Sequence, residues 1–535
     1  MLLPLPLPAS AERLPGHAVL GPDPVLHADE AALPAASLLA DYLSDVFGTA
    51  PSISTTNGQI RLRIAPLPHA PGNPEAYSLE VSETRVELVG AAPAGLLHAV
   101  QALRQLLPPE LLGPRERGVG DVALPRLPCV RILDAPRLGW RGLLLDVARN
   151  FTPVPGVLRL LDLMALHRLN VLQLHLTDDQ GWRLESRTYP RLTEVGGCRP
   201  AAPANPTDPR DRATGPVQEG WYTRDEIRTI VEYAARRGIT VVPEIDVPGH
   251  VQAALAAYPH LGNDPDAQPP LGVWTRWGIN TRLLNAQPST IEFFTDVLDE
   301  VIELFPAPYV HIGGDECPPD EWHASAAARS RARELGLDDP AQLQSWIMSR
   351  LANHLSARGR RPIGWDEITA SPIPQDTVVM SWHEREIAED AAERGFDVVL
   401  APAQQTYFDL HQAAEGEPRG QRGVLTLAES YAFDPFAGRF GLDLAHRLLG
   451  AQCQLWTEYI PTRQHLDYMA FPRVAAFAER AWGSQDDYAG FTERLKPHLE
   501  RLSALGVAYR EPTPTDLEPG RREAPTPAEV PTTVG

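Results

Sequence analysis

An α/β architecture is predicted: a (β/α)8 TIM barrel over residues 136–508, preceded by a small α+β domain at 1–135. Three observations predict it. Eight apolar, β-branched runs alternate with amphipathic stretches, at 142–147, 170–176, 239–245, 309–314, 361–365, 377–382, 397–401 and 451–456. Their continuous apolar character implies strands covered on both faces, as in parallel sheets. Several of the intervening helices end in a similar phrase, "ARRG", "SARG" or "AERG", a glycine stop just before the next strand. A doubly wound open sheet is the alternative. No G-x-G-x-x-G follows the first strand, which argues against its dinucleotide-binding form.

In chain order, "QIRLRIAPL" and "SLEVSETRVELVG" read as strands and "AAPAGLLHAVQALRQLL" as a helix. This first domain shows no cluster of His, Cys or acidic residues and is assigned a scaffolding role. Within the barrel region, Thr223 and Glu226 form a T-x-x-E capping box before "IRTIVEYAARRG", and Ser289 with Glu292 offers the same before "FFTDVLDEVIELF". The Pro-rich stretch 198–220 reads as a long loop. Residues 509–535 are expected to form a disordered tail: the last 25 residues hold six prolines and almost no large apolar side chain.

The 535 residues carry a formal net charge of -21. Such a surface repels phosphate backbones and anionic lipid, so neither nucleic acid nor a membrane is expected as a partner. The four cysteines, Cys129, Cys198, Cys317 and Cys453, show no C-x-x-C spacing, so neither a zinc site nor a redox pair is suggested. The N-terminal "MLLPLPLPAS" lacks a basic n-region, and its prolines interrupt any helical h-region. It is not read as a signal peptide; a cytoplasmic location is expected, with secretion left open. No run of about 18 apolar residues is present for a membrane span.

A barrel builds its active site at the C-terminal ends of its strands. Those ends carry a consistent set of residues. Strand one offers Asp146 and Arg149, with Arg141 at its start; strand two His175, Asp178, Asp179 and Trp182; strand three Glu244, Asp246 and His250. Strand four ends in Asp315 and Glu316, strand five in Trp365, Asp366 and Glu367, and strand six in Trp382, His383 and Glu384. Tyr407 and Asp409 follow strand seven, and Trp456 and Glu458 end strand eight. Each residue alone is unremarkable, since a single Asp is more often a cap and a lone Trp is usually core. Their repetition at one end is not. Indole is a platform for the apolar face of a sugar, and carboxylates and Arg bind its hydroxyls, so the set reads as a carbohydrate site.

Other chemistries are weighed against it. His175, His250 and His311 could join Asp178, Asp246 or Asp315 around a metal, but no H-x-H or H-E-x-x-H spacing occurs. Asp246 and His250, separated by Pro248-Gly249, equally suit a His oriented by an Asp that tunes a neighbouring acid. No metal or cofactor is therefore expected. A G-x-S-x-G elbow is lacking. Two neighbouring carboxylates would raise the pKa of Cys317, the wrong direction for a nucleophile.

Ordinary retaining glycosidases place two carboxyl groups about 5 Å apart across the scissile bond. Asp315 and Glu316 are adjacent in sequence, and neighbours on a strand point to opposite faces. They are badly placed to attack one bond from two sides. One should be the acid, and the other should do something else.

The motifs "RGLLLDVARNF", "HLTDDQGWR", "PEIDVPGH", "HIGGDE", "GWDE", "YFD" and "LWTE" together resemble the family 20 glycoside hydrolases, the β-N-acetylhexosaminidases, over roughly residues 1 to 505. The resemblance implies an exo-acting enzyme that removes terminal non-reducing β-linked GlcNAc, and GalNAc, from oligosaccharides or glycoconjugates. It implies that the substrate's own 2-acetamido oxygen attacks C1, giving an oxazolinium intermediate and net retention, a known exception to the two-carboxylate rule. Carried over by position, Glu316 is the general acid and then base, Asp315 orients the acetamido N–H, and Tyr407 donates to its oxygen. Trp365, Trp382 and Trp456 wall the acetamido pocket. Arg141, Asp409 and Glu458 bind hydroxyls, Asp178 or Asp179 supports Asp315 or Arg141, and Asp246 with His250 tunes Glu316. His250 is also expected beside the substrate. Gly313 and Gly314 are expected to leave the pocket floor open for the sugar. A non-catalytic sugar-binding barrel, a metal-dependent amidohydrolase and a disaccharide-releasing relative are the competing readings.

Overall fold

The computed structural model describes residues 3–113, 124–200, 217–266, 270–370 and 372–518. Eight strands, Trp140–Asp146, Val171–His175, Thr240–Val247, Tyr309–Gly313, Arg361–Trp365, Val378–Ser381, Asp397–Leu400 and Leu448–Leu455, pair in parallel in that order. The eighth closes on the first, with Gly450 opposite Trp140 and Leu455 opposite Leu145. The predicted (β/α)8 barrel is thus the observed one. Period-2 alternation sorts its side chains: Leu143 and Leu145 pack under the outer helices, whereas Trp140 and Leu144 fill the interior with Val242, Ile363 and Met380.

The interior also holds a polar column. Trp140 Nε1 donates to Gln452 Oε1 at 3.2 Å, Gln452 Nε2 to Gln173 Oε1 at 2.7 Å, and Gln173 Nε2 to Glu244 Oε2 at 2.8 Å. Buried amides need partners, and here each supplies the next. The column reaches Glu244, beneath the strand ends.

Helix starts follow local chemistry. Thr223 and Glu226 form the predicted reciprocal capping box on Arg224–Ala235. The box expected from Ser289 and Glu292 does not form. The helix Pro288–Leu304 begins two residues earlier than that box requires, with Gln287 as N-cap and no side-chain cap bond. Proline is pre-organised for the first helical position, so Pro288 starts the helix and leaves Ser289 inside the first turn.

The preceding domain is a seven-stranded mixed sheet, in spatial order Ser10–Val19, Arg126–Asp134, Tyr77–Val81, Val86–Gly90, Ile60–Ile64, Val25–Ala28 and Ser52–Ser54. Helices Leu33–Phe47 and Pro93–Leu106 pack on each other and on the sheet, and the second also meets the barrel helix Val154–Leu166. Two carboxylates, the buried Asp134 and the part-buried Glu75, join domain to barrel. Asp134 accepts from Tyr77 Oη at 2.8 Å, Arg168 Nη1 at 3.1 Å and Trp482 Nε1 at 3.0 Å. Glu75 accepts from Arg141 Nη1 at 3.0 Å and Nη2 at 2.7 Å, and faces His98 Nε2 at 3.0 Å.

Part of the expected tail is ordered. Arg510 is buried, donates to Glu417 at 2.8 Å and to Asp516 at 2.7 Å, and is followed by the short helix Pro514–Leu517 with a Thr513–Asp516 capping box. Two buried ion pairs outweigh the proline-rich composition there. Residues 519–535 lie outside the described residues, as do 201–216 of the predicted loop, whose ends Cys198–Arg199 and Gln218–Glu219 pair as a two-stranded ribbon.

Candidate active site

The strand Tyr309–Gly313 stops just short of the acidic pair, because Gly313 and Gly314 take φ of 68° and 100° and Glu316 itself takes 46°. A Cβ on Gly313 would lie 1.6 Å from Asp246 Oδ1, and one on Gly314 would lie 2.3 Å from Ile368 Cγ2. The glycines therefore make room for protein neighbours and for left-handed backbone, rather than for the sugar as the sequence suggested. This turn lets two consecutive carboxyls face one site, which a continuing strand would forbid.

Both carboxyls meet His250, a non-glycine residue at φ 52°. Its Nε2 lies 3.4 Å from Glu316 Oε2 and 3.7 Å from Asp315 Oδ2, while its Nδ1 faces Asp179 Oδ2 at 3.3 Å and Asp178 Oδ1 at 3.5 Å. Burial opposes a charge on this ring, but Asp178 and the other carboxylates around it raise its pKa well above the usual imidazole range. Burial pushes Asp315 up to about 6; the His250 charge opposes the rise, and Glu316 and Glu244 add to it. Asp246 is buried beside them with neither carboxyl oxygen hydrogen-bonded, and burial together with the Asp315 charge raises it well above the usual carboxylate range. An uncharged Asp246 lets Asp315 carry the local negative charge.

Beneath this layer, Glu244 is the hub. It takes Gln173 Nε2 and His175 Nδ1, each at 2.8 Å, and Trp365 Nε1 at 3.0 Å. His175 Nε2 then meets Asp178 Oδ2 at 2.8 Å. The polar column of the barrel thus continues through Glu244 and His175 to Asp178.

Arg149 receives that column. Its Nη2 lies 2.8 Å from Asp178 Oδ2, its Nη1 lies 3.3 Å from Asp146 Oδ2 and 3.6 Å from Glu458 Oε1, and its Nε donates to Gln180 Oε1 at 2.9 Å. Its guanidinium stands 5.3 Å from the Trp456 ring centre. Arg141 is elsewhere. It sits at the opposite, N-terminal end of the same strand, on the outward parity of Leu143 and Leu145, and clasps Glu75 of the first domain. The arginine at the strand ends is Arg149, so Asp178 supports Arg149 and not Arg141. Asp179 instead accepts from Gln252 N at 3.0 Å and Asn280 Nδ2 at 3.1 Å, which anchors the loop after the third strand.

Aromatic rings form the remaining wall. Trp365 lies 5.9 Å from Trp456, Trp456 lies 6.1 Å from Tyr407, and Tyr407 lies near-parallel to Trp382, at 22° and 6.2 Å. Burial first, then the Asp315 charge, raises the Tyr407 hydroxyl well above the usual phenol range, so it stays protonated and can donate. Asp409 is pushed up to about 8, by burial first and then by Glu458. Trp182 is not part of this wall; it is core, with Nε1 on the Leu184 carbonyl at 2.8 Å. Cys317 donates its thiol to the Asp315 carbonyl at 3.1 Å, and burial, with Asp315 second, raises its pKa far from thiolate chemistry.

Two family profiles match the chain: "Glycosyl hydrolase family 20, catalytic domain" over residues 138–485 and "Glycosyl hydrolase family 20, domain 2" over residues 5–135. The chain belongs to glycosyl hydrolase family 20. Among family 20 relatives, a beta-hexosaminidase of Porphyromonas gingivalis is 39% identical over 446 residues, covering 82% of this chain and 55% of that protein. One from Vibrio furnissii is 37% identical over 407 residues, covering 75% and 64%. The matched region is thus less than two thirds of the length of either relative. A beta-N-acetylhexosaminidase of Cellulomonas fimi is 33% identical over 502 residues and is covered over 91% of each chain. Among solved family 20 structures, the Vibrio harveyi exo beta-N-acetylglucosaminidase in complex with N-acetylglucosamine superposes with a TM-score of 0.84 at 34% identity, covering 95% of this chain and 78% of that one. A mutant Streptomyces plicatus beta-hexosaminidase in complex with product GlcNAc gives 0.81 at 31% identity, covering 96% of each.

Of the family 20 site residues expected from sequence, Glu316, Asp315, Asp246, His250, Asp178, Trp365, Trp382, Tyr407, Asp409, Trp456 and Glu458 cluster together at the C-terminal strand ends. Arg141 does not. Arg149, His175 and Glu244 are among the strand-end residues read as a sugar site, but the family resemblance gave the arginine's role to Arg141, and neither Gln180 nor the Glu244–His175 contact was anticipated. For Arg149 the signal was available: it lies three residues past Asp146, beyond the strand end, where Arg141 precedes it. Four groups of described side chains have ligand atoms close enough for a metal: His175, Asp178 and Asp246; Asp178, Asp179 and His250; Asp246, His250 and Asp315; and Asp366, Glu367 and His383, whose Asp366 oxygens already accept from Ser381 and His383. In the first two, the His175 nitrogens and the Asp178 oxygens are already engaged by Glu244, Arg149 and each other. Among the described residues no helix is long and apolar enough to cross a membrane.

Proposed function

We propose that the chain is an exo-acting, retaining β-N-acetylhexosaminidase that removes terminal β-linked GlcNAc, and also GalNAc, from chitin-type oligosaccharides or glycoconjugates. The observation that carries this reading is that one imidazole nitrogen of His250 faces both Asp315 and Glu316. The two carboxyls stand on one side of the pocket, so they do not bracket a bond as an acid and a nucleophile would. The nucleophile then comes with the substrate.

In this reading Glu316 gives its proton to the glycosidic oxygen as the acetamido carbonyl oxygen closes on C1. The C1–O bond to the leaving group breaks, and a five-membered oxazolinium forms. Asp315, in its anionic form, accepts the amide N–H and offsets the positive charge that develops there, an interaction that strengthens in the transition state. Tyr407 donates to the acetamido oxygen and aims it. Glu316, now a carboxylate, takes a proton from water as the water attacks C1, which reopens the ring with net retention. Arg149, Asp409 and Glu458 hold the sugar hydroxyls at the other end, and His250 holds the acid in place.

A panel of aryl β-glycosides tests the proposal. Turnover of the GlcNAc and GalNAc compounds and none of the β-glucoside is expected, because glucose has no acetamido group. A thiazoline mimic of the intermediate should bind far more tightly than GlcNAc, and equal binding of the two would sink the substrate-assisted step. Activity should survive EDTA; loss to the chelator would favour the metal-dependent reading.

A further inference from the structure

Strand five ends in Trp365, Asp366 and Glu367; the tryptophan belongs to the aromatic wall, and the mechanism above uses neither acid. The two acids after it converge on three consecutive residues at the end of strand six. Asp366, 1% exposed, accepts from Ser381 Oγ at 2.8 Å, from His383 N at 3.2 Å and from His383 Nδ1 at 2.7 Å. Glu367 Oε2 accepts from Trp382 Nε1 at 3.0 Å. Residues 381, 382 and 383 are therefore each held by residues 366 and 367. The His383 ring in turn packs 3.8 Å from Trp382, and Trp382 lies near-parallel to Tyr407.

We propose that Asp366 and Glu367 are positioning residues that fix the plane of Trp382 against Tyr407 and thereby set the size of the acyl group the pocket accepts. The inference rests on the acetamido pocket of the proposed function. The strand Val378–Ser381 ends before Trp382, whose carbonyl still accepts from Ala403 N at 2.8 Å, so the main chain is fixed there and side-chain partners decide the rotation of the indole. The Asp366 contacts hold the backbone and ring on either side. The Glu367 contact then selects one rotation of the indole, because the N–H has a single direction and a buried or half-buried donor needs an acceptor. Burial, with Asp315 and Asp366 adding to it, raises Glu367 well above the usual carboxylate range. Its carboxyl oxygen accepts from the indole in either protonation state, so the clamp does not depend on the charge of Glu367. An indole free to turn about its χ2 angle would widen the space opposite Tyr407, at the place where the acyl methyl sits in the proposed reaction.

The test compares aryl glucosaminides carrying N-acetyl and N-propionyl groups. One added methylene is worth about 10- to 200-fold in a shaped apolar pocket, so the native enzyme should prefer N-acetyl by about tenfold or more. Glu367→Ala should lower kcat/KM on the N-acetyl substrate by about 10- to 100-fold and shrink the N-acetyl preference, since misplacing a pocket wall by about 1 Å costs that much. Glu367→Gln keeps an acceptor oxygen and should retain the preference within about twofold, close to the scatter of independent sites. Trp382→Phe should lose the preference as Glu367→Ala does, and combining the two changes should cost no more than either alone. An unchanged preference in Glu367→Ala, or equal loss in Glu367→Gln, overturns the inference while leaving the proposed reaction standing. Native activity on an aryl β-glucoside equal to that on the N-acetyl compound would instead overturn the reaction and this inference with it.

Discussion

His250 Nε2 lies 3.4 Å from Glu316 Oε2, and both residues hold left-handed backbone, at φ 52° and 46°. Two non-glycine residues in this region that face each other are a costly arrangement, of order 1–3 kcal/mol each. Each strained turn aims its side chain across the strand ends. Behind His250 stand Asp178 and Asp179, so the imidazole carries positive charge from a buried carboxylate pair to the reacting pair.

That charge fixes a pH dependence. Asp315 is raised to about 6, and the His250 charge is what restrains it from rising further. The proposed reaction needs Asp315 ionised, so kcat/KM should fall as pH drops below about 6. His250→Phe removes the restraining charge, and the acid limb should move to higher pH while the rate at the optimum drops about 100-fold. A kcat/KM profile with the acid limb unmoved would show that His250 does not act on Asp315.

Glu316→Gln removes the only proton in the proposed first step. Turnover of a chitobiose-type substrate, whose leaving group is poor, should fall by about 100- to 10,000-fold, and an activated aryl glycoside should suffer much less. Near-normal hydrolysis of the disaccharide by this variant would reassign the acid. Asp315→Asn should lower kcat more than it raises KM, because its bond to the amide strengthens on the way to the transition state.

The two arginines of the first strand separate stability from activity. Arg141→Met removes two bonds from the part-buried Glu75 and leaves it to His98 and Asn170. The loss should approach, without reaching, the cost of about 3–5 kcal/mol for a buried charge stripped of its partner. Thermal melting should fall, with kcat/KM of the folded enzyme unchanged. Although burial raises it, Glu75 is held well below the usual carboxylate range by its bonds from His98 and Arg141. A depressed pKa contributes stability that is present above the unfolded value of 4.5 and lost as pH falls below it, so the native melting temperature should decline in acid and that of Glu75→Gln should decline less. Arg149→Met should instead cut kcat/KM by about 100-fold or more, since polar groups meant for hydroxyls are left unmatched.

Gly313→Ala should abolish activity even where the protein folds. The new methyl group would fall 1.6 Å from Asp246 Oδ1 at a φ of 68°, and the displaced carboxyl would move against Asp315. Wild-type rates in a folded Gly313→Ala enzyme would show that the turn tolerates the shift without disturbing the acid pair.

The sequence by itself determined where the eight strands lie, because apolar, β-branched runs alternate with capped helices, and which ends hold the chemistry, because the acids and tryptophans cluster after each run. That the sheet closes, strand eight on strand one, was decided by the tertiary structure. It also located the Asp315–Glu316 pair and the glycines before it. Tertiary structure decided what local pattern cannot encode. Arg141 and Arg149 flank the same short strand, and only the position of Glu75, 66 residues before Arg141 and in another domain, shows that the first is an anchor and leaves the second for the site. The clamp of Asp366 and Glu367 on Trp382, the column from Gln452 to Asp178, and the docking of Arg510 on Glu417 likewise join residues far apart in the chain. Burial raises Asp246, Asp315 and Asp409, whereas against the same burial Arg149 and His250 hold Asp178 low and His175 and His311 hold Glu244 low; a linear sequence carries no record of that proximity.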